Sequence, residues 1–292
     1  MTKHKFPSAK QLRWAINRFK NHDLKNCSID DLIVEFGKLT AHFGFLTFVV
    51  PRTIKVHRIR INDGDKLFYS LNDLWCPPKH LITRPGRCND IGDQMLYVSG
   101  GGHTCLSETN PKVGDTVTCV EFEVAEKFNV VEIGVLQNIK REKYFQQYAA
   151  LNNYGTHYFY NGNDNLIKLD KTLKEFIIKE FTKTVLPEEG FLYKKSIAIT
   201  KHFLGAPEIK GIMYPSTKMD LKDLNYAIPA EFAKDLLIPK RIDVFKMDYH
   251  EGLKKVGFKL LKGSYSDLSF DNEIQYEAPR GIIGWAYNMP GV

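Results

Sequence analysis

An arginine, a tyrosine and a glutamate lie close together in residues 84–110, which read RPGRCNDIGDQMLYVSGGGHTCLSETN. Arg87 falls in a turn rich in glycine and proline, so loop backbone holds its guanidinium. Tyr97 follows ten positions later on a predicted short strand, and Glu108 eleven positions after that. Arginine binds phosphate oxygens in pairs, and a carboxylate stabilises nearby positive charge. The stretch could therefore act on a phosphorylated ligand.

Two more arginines lie on the predicted strand 54–61 (IKVHRIRI). Side chains alternate faces along a strand, so Arg58 and Arg60 share one face, and Ile59 and Ile61 share the other. The two arginines are then about 7 Å apart, a spacing that suits a diphosphate. An edge strand with a solvated basic face would explain the same pattern. Of the two, Arg58 is the stronger candidate.

The triple glycine at 100–102 predicts the approach to a helix, with Thr104 as a possible N-cap. The first turn of this helix would then hold Ser107 and Glu108. Alone, the three glycines are a weak phosphate-loop signal, because they lack both the Walker lysine and the Rossmann spacing. Farther along, residues 211–218 (GIMYPSTK) form a strand-like run that ends at Pro215 and Ser216.

Taken in order, these features resemble the RES-domain family, which is named for its arginine, glutamate and serine. The resemblance covers residues 54–247 and departs from the family at Cys88, where an aromatic residue is more usual. It rests on the arginine strand, the paired prolines Pro77 and Pro78, the Gly86-Arg87-x-Asn89 loop, the Leu96-Tyr97 strand, Glu108 and the GIMYPS run ending at Ser216.

The resemblance implies an ADP-ribosyltransferase-like fold, with two small β-sheets around an NAD cleft. Known members of the family are toxins of bacterial toxin–antitoxin pairs that degrade NAD by hydrolysis or phosphorolysis, and some instead transfer ADP-ribose to a protein. For this chain it implies NAD as the substrate, with no cofactor and no metal. It also implies a protein antitoxin or inhibitor as a partner. The chain itself would contact nucleic acid only indirectly, through that partner.

By the same resemblance Arg87, Tyr97 and Glu108 form the catalytic site, and further residues bind NAD. Nicotinamide in NAD is already cationic and leaves without a general acid, so the barrier lies in the oxocarbenium-like ribosyl cation. Glu108 would stabilise that cation, the arginines would bind the diphosphate, and Tyr97 would stack on nicotinamide or ribose. The residues that would help to bind NAD are Arg58, Arg60, Asn89 and Ser216.

Each of these residues also has a purely structural explanation. Tyr97 has apolar neighbours and could belong to the core, while Ser216 could organise a turn. Glu108 could favour a helix N-terminus through the helix dipole. Glu121 and Glu123 share one strand face and suggest paired carboxylates, but a solvent-facing strand explains them more simply.

Hydrophobic periodicity predicts an α+β fold, because strands outnumber helices and do not alternate with them regularly. We expect an N-terminal helical appendage at 1–50, a catalytic domain at 51–250 and a C-terminal extension at 251–292. From about residue 244 the pattern mixes short strand-like and turn-like pieces. The predicted helices are 8–20, 28–42, 171–184 and 192–203, and the predicted strands are 45–50, 54–61, 94–99, 116–124 and 129–135.

Composition narrows the class of protein. A net charge of +7 favours anionic ligands, but the lysines spread along the whole chain. Five cysteines form no Cys-x-x-Cys pair, which indicates reduced, mostly buried thiols. The sequence has neither an apolar run long enough for a membrane helix nor a signal-peptide pattern, so the expected location is the cytoplasm.

Other functions fit the sequence less well. A protein ADP-ribosyltransferase would use the same fold and the same substrate. A non-catalytic basic nucleic-acid-binding module would instead carry a recognition helix or an aromatic RNA-binding signature, and the sequence shows neither. A catalytically inactive scaffold would bind NAD without turning it over.

Overall fold

The computed structural model describes residues 6–45, 47–135, 155–251, 255–265 and 268–278. Its helices include α1 (Ala9–Lys20), α2 (Ile29–Thr40), α3 (Leu71–Leu74), α4 (Gly102–Thr109), α5 (Asp164–Phe181), α6 (Lys194–Leu204) and α7 (Ala230–Leu236). Its strands are β1 (Thr47–Val50), β2 (Lys55–Ile61), β3 (Met95–Ser99), β4 (Thr116–Val124), β5 (Phe128–Glu132), β6 (Ile209–Pro215), β7 (Leu224–Pro229), β8 (Leu237–Glu251) and β9 (Lys255–Ser264). The predicted α+β class is confirmed.

Backbone contacts divide the chain into two compact units, each built from three separate segments. The first comprises Met1–Phe48, Lys79–Asp93 and Asn129–Thr217. The second comprises Val49–Pro78, Gln94–Phe128 and Lys218–Val292. The described residues of the predicted N-terminal appendage up to Phe48 thus belong to the first unit, and residues 49 and 50 belong to the second. The described parts of the predicted C-terminal extension also belong to the second unit. Residues 1–5, 46, 252–254, 266–267 and 279–292 of those two predicted segments lie outside the described residues.

The first unit packs helices around the parallel strand pair β5 and β6. Helix α1 begins with a capping box, in which the Ser8 hydroxyl accepts from the Gln11 backbone and the Gln11 side chain accepts from the Ser8 backbone. Its buried Phe19 meets Phe36 of α2 at 5.8 Å and Phe176 of α5 at 5.8 Å between ring centroids. These aromatic contacts fix the N-terminal helices to the rest of the unit.

The second unit is an antiparallel sheet in the order β7-β3-β2-β4-β8-β9. Strand β2 therefore lies inside the sheet, and the alternative of a solvated edge strand is wrong. Helix α4 packs on one face of the sheet, where its Cys105 and Leu106 join a buried cluster with Ile59, Cys119 and Phe245. This packing fixes the helix that carries Glu108.

The C-terminal strands differ most from the prediction. Residues from 244 onward were expected to form short pieces, yet β8 is 15 residues long and pairs with both β4 and β9. The register shifts between Val244 and Phe245 and again between Met247 and Tyr249. Each shift interrupts the alternation of inward and outward side chains, so the period-2 signal of one long strand is lost.

Candidate functional site

Glu108 lies in the last turn of α4, not in its first turn as predicted. The helix starts at Gly102 and has extended Gly101 as its N-cap, so it begins before Thr104. Glycine is tolerated as an N-cap without a side-chain bond, which is why the hydroxyl-based prediction placed the start too late. Thr104 is buried inside the helix, and its hydroxyl donates to the Asp223 carboxylate.

A short polar chain orients the Glu108 carboxylate. The Asn225 side-chain amide donates to Glu108 Oε1 at 2.7 Å, and the Ser99 hydroxyl donates to Asn225 Oδ1 at 2.6 Å. Ser99 and Asn225 are directly opposite each other on β3 and β7, and both side chains are buried. Hydrogen bonds among buried groups restrict rotation, so the buried Asn225 and Ser99 side chains hold the exposed Glu108 carboxylate in one orientation. An isolated asparagine gave no sequence signal for this role.

The Tyr97 side chain points to the face of the sheet on which α4, the helix that carries Glu108, is packed. Ser99 pairs with His57 across β3 and β2, and opposed residues of an antiparallel pair point to the same face. Tyr97 is two residues from Ser99, so its half-buried side chain also points to this face. Helix α4 covers the same face, as the contact of Cys105 Sγ with the His57 carbonyl at 2.8 Å shows.

Arg58 and Arg60 share a face, as predicted, but it is the opposite face from that of Tyr97 and α4. The Arg58 guanidinium donates to the Leu74 carbonyl at 3.0 Å, the Trp75 carbonyl at 3.3 Å and the Tyr97 carbonyl at 3.0 Å. Burial lowers the pKa of this guanidinium.

Arg60 also donates to a main-chain carbonyl group, but its contact is more exposed than those of Arg58. It donates to the Asp73 carbonyl at 2.6 Å and lies 5.8 Å from the centroid of the Phe68 ring. Because Asp73 and Leu74 end the short helix α3, the two arginines satisfy carbonyl groups at a helix C-terminus.

Arg87 lies in the first unit, in the tight loop that the sequence predicted. The Gly86 amide donates to the Asn89 carbonyl at 2.9 Å and the Ser196 hydroxyl donates to the Arg87 carbonyl at 2.7 Å. The Arg87 guanidinium donates to the Phe181 carbonyl, which ends α5, and to the Lys183 carbonyl at 3.2 Å.

Two tyrosine rings surround the same guanidinium. Its central carbon is 5.7 Å from the ring centroid of Tyr193 and 5.9 Å from that of Tyr214. Aromatic faces attract a planar cation, so Arg87 is fixed by rings as well as by carbonyl groups. Tyr214 belongs to the GIMYPS run, but no local sequence pattern links either tyrosine to Arg87, because both lie more than one hundred positions away.

The other two predicted NAD-binding residues are buried in the first unit. The Asn89 side chain donates to the Asp90 carbonyl at 3.0 Å. Ser216 follows the end of β6 and is 0% exposed. A fully buried hydroxyl presents no surface to a ligand in this conformation.

Glu121 belongs to a charged row across three strands of the second unit. It is opposite His57 of β2 and Arg241 of β8. Its carboxylate is 3.4 Å from His57 Nε2 and accepts from Lys55 Nζ at 2.7 Å. The hydrogen bond with His57, followed by that with Lys55, lowers the pKa of Glu121 to about 2. The Glu121 side chain is 20% exposed, so the strand face that it shares with Glu123 is partly open to solvent.

The described ranges contain no group of three or more histidine, cysteine, aspartate or glutamate residues that could hold a metal ion. The five cysteines are free thiols, and four of them are buried, as predicted. Within the same ranges, no helix is both long enough and apolar enough to cross a membrane.

The chain matches no protein-family model and no curated protein sequence. Among solved structures it is similar to a chain of the M. tuberculosis MbcT–MbcA toxin–antitoxin complex. The two chains are 10% identical, with a TM-score of 0.33 over 82% of this chain and 94% of that chain. A TM-score this low does not show a shared fold.

Replacing Arg58 with methionine should destabilise the protein, because Arg58→Met removes the donors of three main-chain carbonyl groups. Each buried group left unsatisfied costs about 1–3 kcal/mol. Arg60→Met is the matched control on the same face, and its exposed contact should cost no more than about 0.5 kcal/mol. Urea denaturation measures both free energies of unfolding. Equal losses in the two variants would contradict the structural role of Arg58.

Replacing Glu121 with glutamine should lower stability most at neutral pH. The pKa of Glu121 is lowered to about 2 in the folded chain, so its charge stabilises the fold above the ordinary carboxyl pKa. That contribution is lost as pH falls through the folded pKa, so wild type and Glu121→Gln should converge between about pH 4.5 and pH 2. Denaturation across this range measures the gap. A gap independent of pH would show that packing, not charge, explains the loss.

Proposed function

We propose that the chain is an NAD-degrading enzyme that cleaves the nicotinamide–ribose bond and passes ADP-ribose to water or phosphate. The observation that carries this proposal is that the Glu108 carboxylate is exposed and yet oriented by a hydrogen-bond chain through the buried Asn225 and Ser99 side chains. We propose NAD as the substrate because the segment that holds Arg87, Tyr97 and Glu108 resembles RES domains. We further propose the ADP-ribosyltransferase-like core, the toxin role, the cytoplasmic location and the restraining antitoxin on the same resemblance.

The chemistry requires a fixed negative charge beside the anomeric carbon. The bond between that carbon and the nicotinamide nitrogen breaks, and its electron pair neutralises the nicotinamide. Glu108 stabilises the positive charge that develops on the ribose, because a preorganised charge needs no rearrangement during the reaction. An oxygen of water or phosphate then bonds to the anomeric carbon, and water releases a proton as it does so.

Tyr97 supports the same reaction from the same sheet face. Its ring can stack on nicotinamide or on the ribose, while its hydroxyl can bond to a ribose hydroxyl. A stacked ring orients the scissile bond toward the carboxylate. In this proposal Tyr97 positions the substrate and Glu108 stabilises charge.

Arg87 is the proposed ligand of the diphosphate. Its bonds to the Phe181 and Lys183 carbonyl groups use two of the five N–H groups of a guanidinium. The rings of Tyr193 and Tyr214 restrict the guanidinium plane, which favours a paired interaction with phosphate oxygens. Arg58, with three carbonyl partners, serves mainly to hold α3.

The proposed activity is tested by incubating the chain with NAD, with and without phosphate, and separating the products by chromatography. Wild type should release nicotinamide. Glu108→Gln keeps the shape of the side chain and removes its charge, so turnover should fall by about 10²–10³-fold while NAD affinity changes little. Glu126→Gln, an exposed glutamate in a turn of the second unit, is the matched control.

Each result has a definite meaning for the proposal. Asn225→Ala should lower turnover less than Glu108→Gln does, because the carboxylate remains but is no longer held. Wild-type turnover by a normally melting Glu108→Gln would refute the role of Glu108. No release of nicotinamide by wild type, with salt-dependent binding of DNA or RNA, would refute the enzyme and favour a nucleic-acid-binding module.

The role of Arg87 predicts that lysine cannot replace it. Arg87→Lys should weaken NAD binding nearly as much as Arg87→Ala, by about tenfold or more, since a bond to a charged group contributes about 1.5–3 kcal/mol. Arg84→Lys, three residues earlier and exposed, is the control and should bind normally. Calorimetric titration with NAD measures affinity, and melting curves record the loss of the contacts to α5. Near-normal binding by Arg87→Lys would show that a point charge suffices.

A further inference from the structure

A groove opens in the first unit between the N-terminal half of α1 and the end of α2. Its volume is about 720 Å³. Leu12, Ala15 and Leu39 give it an apolar lining, with Trp14 and Phe6 also bordering it. None of the residues associated with the proposed NAD chemistry lines it.

The groove is preformed by contacts on each side. The Phe6 ring packs against three rings, at 6.0 Å from His42, 6.3 Å from Phe43 and 5.8 Å from Tyr160. The capping box of Ser8 fixes the first turn of α1. A ligand that enters this groove therefore loses little affinity to rearrangement of the protein.

Trp14 is unusually exposed for its size. It is 62% exposed although it belongs to a well-packed helix. Arg18 lies 5.6 Å from its ring centroid and is also bonded to Glu35 at 2.8 Å, so the ring is supported on one side. Exposed, supported aromatic rings are frequent anchors of protein interfaces.

The charge around the groove is positive. Helix α1 (AKQLRWAINRFK) carries four basic residues and no acidic one. Lys38 lines the groove and is exposed, and Lys10 lies one turn before Trp14 on α1. No lining residue is a carboxylate. The N-terminus of α1 adds a partial positive charge at the same end.

We propose that this groove binds an acidic segment of a partner protein that inserts an apolar or aromatic side chain beside Trp14. The apolar lining takes the inserted side chain, and Lys38 and Lys10 pair with the flanking carboxylates. A nucleic acid would need cations along a backbone path, whereas the groove is lined by one lysine and one histidine. A lipid surface would need a broad, exposed apolar face on α1, but Ile16 and Phe19 of that face are buried.

The test uses the full chain and a fluorescein-labelled amphipathic peptide of glutamate, leucine and phenylalanine with blocked ends. Fluorescence anisotropy should show saturable binding that weakens with salt. Trp14→Ala and Lys38→Glu should each weaken it by about tenfold or more. Val34→Ala, at an exposed apolar residue of α2, and Lys127→Glu, at an exposed cation of the second unit, lie outside the groove lining and should bind like wild type. Turnover of NAD plays no part in this measurement.

Further probes separate the remaining explanations. A peptide with glutamine in place of glutamate should bind weakly, and Trp14→Phe should retain most of the affinity if an aromatic anchor is needed. No saturable binding of the acidic peptide, or equal losses in the groove and control variants, would overturn the proposal. Binding of a thymidine oligonucleotide or of anionic phospholipid vesicles through Trp14 and Lys38, in place of the peptide, would also overturn it.

Discussion

Main-chain carbonyl groups at the ends of helices need hydrogen-bond donors, and arginine side chains supply them in both units. Arg58 does so for Leu74 and Trp75 in the second unit, and Arg87 does so for Phe181 in the first. A guanidinium suits this task because it offers several N–H groups in one plane and keeps its charge when half-buried. The residues that the sequence singles out as phosphate ligands are thus also residues on which local folding depends. Any assignment of them to substrate has to separate these two contributions.

The position of the candidate catalytic carboxylate depends on sheet register. Ser99 and Asn225 meet because β3 and β7 pair in one register, and a shift of either strand by one residue would turn its side chain to the other face. The same register turns Tyr97 toward the face that α4 covers. The carboxylate is therefore oriented by strand pairing at a distance in sequence of more than one hundred residues. Such pairing leaves no local trace in the chain.

The sequence predicted what depends on local rules. Strand parity placed Arg58 and Arg60 on one face of β2, and side-chain capping located the starts of α1 and α2 at Ser8 and Ser28. Features that depend on partners distant in sequence were missed, including the Asn225 contact with Glu108 and the carbonyl partners of Arg58. The glycine start of α4 and the bulged strand β8 were missed for another reason, because each lacks the regular signal that prediction uses.

Effects of a substitution on function and on folding are easiest to separate where an exposed side chain is held in place by buried ones. Glu108 is exposed, so removal of its charge leaves the core and the sheet unchanged, while Asn225 and Ser99 beneath it are buried and contribute to packing. Trp14 has the same character, since its exposed ring lies on a helix whose stability comes from Leu12, Ile16 and Phe19. Arg58 and Arg87 have the opposite character, because the guanidinium group that could bind a phosphate also holds a helix end. Exposed side chains with buried support are therefore the positions where a change in activity or binding can be attributed to function and not to unfolding.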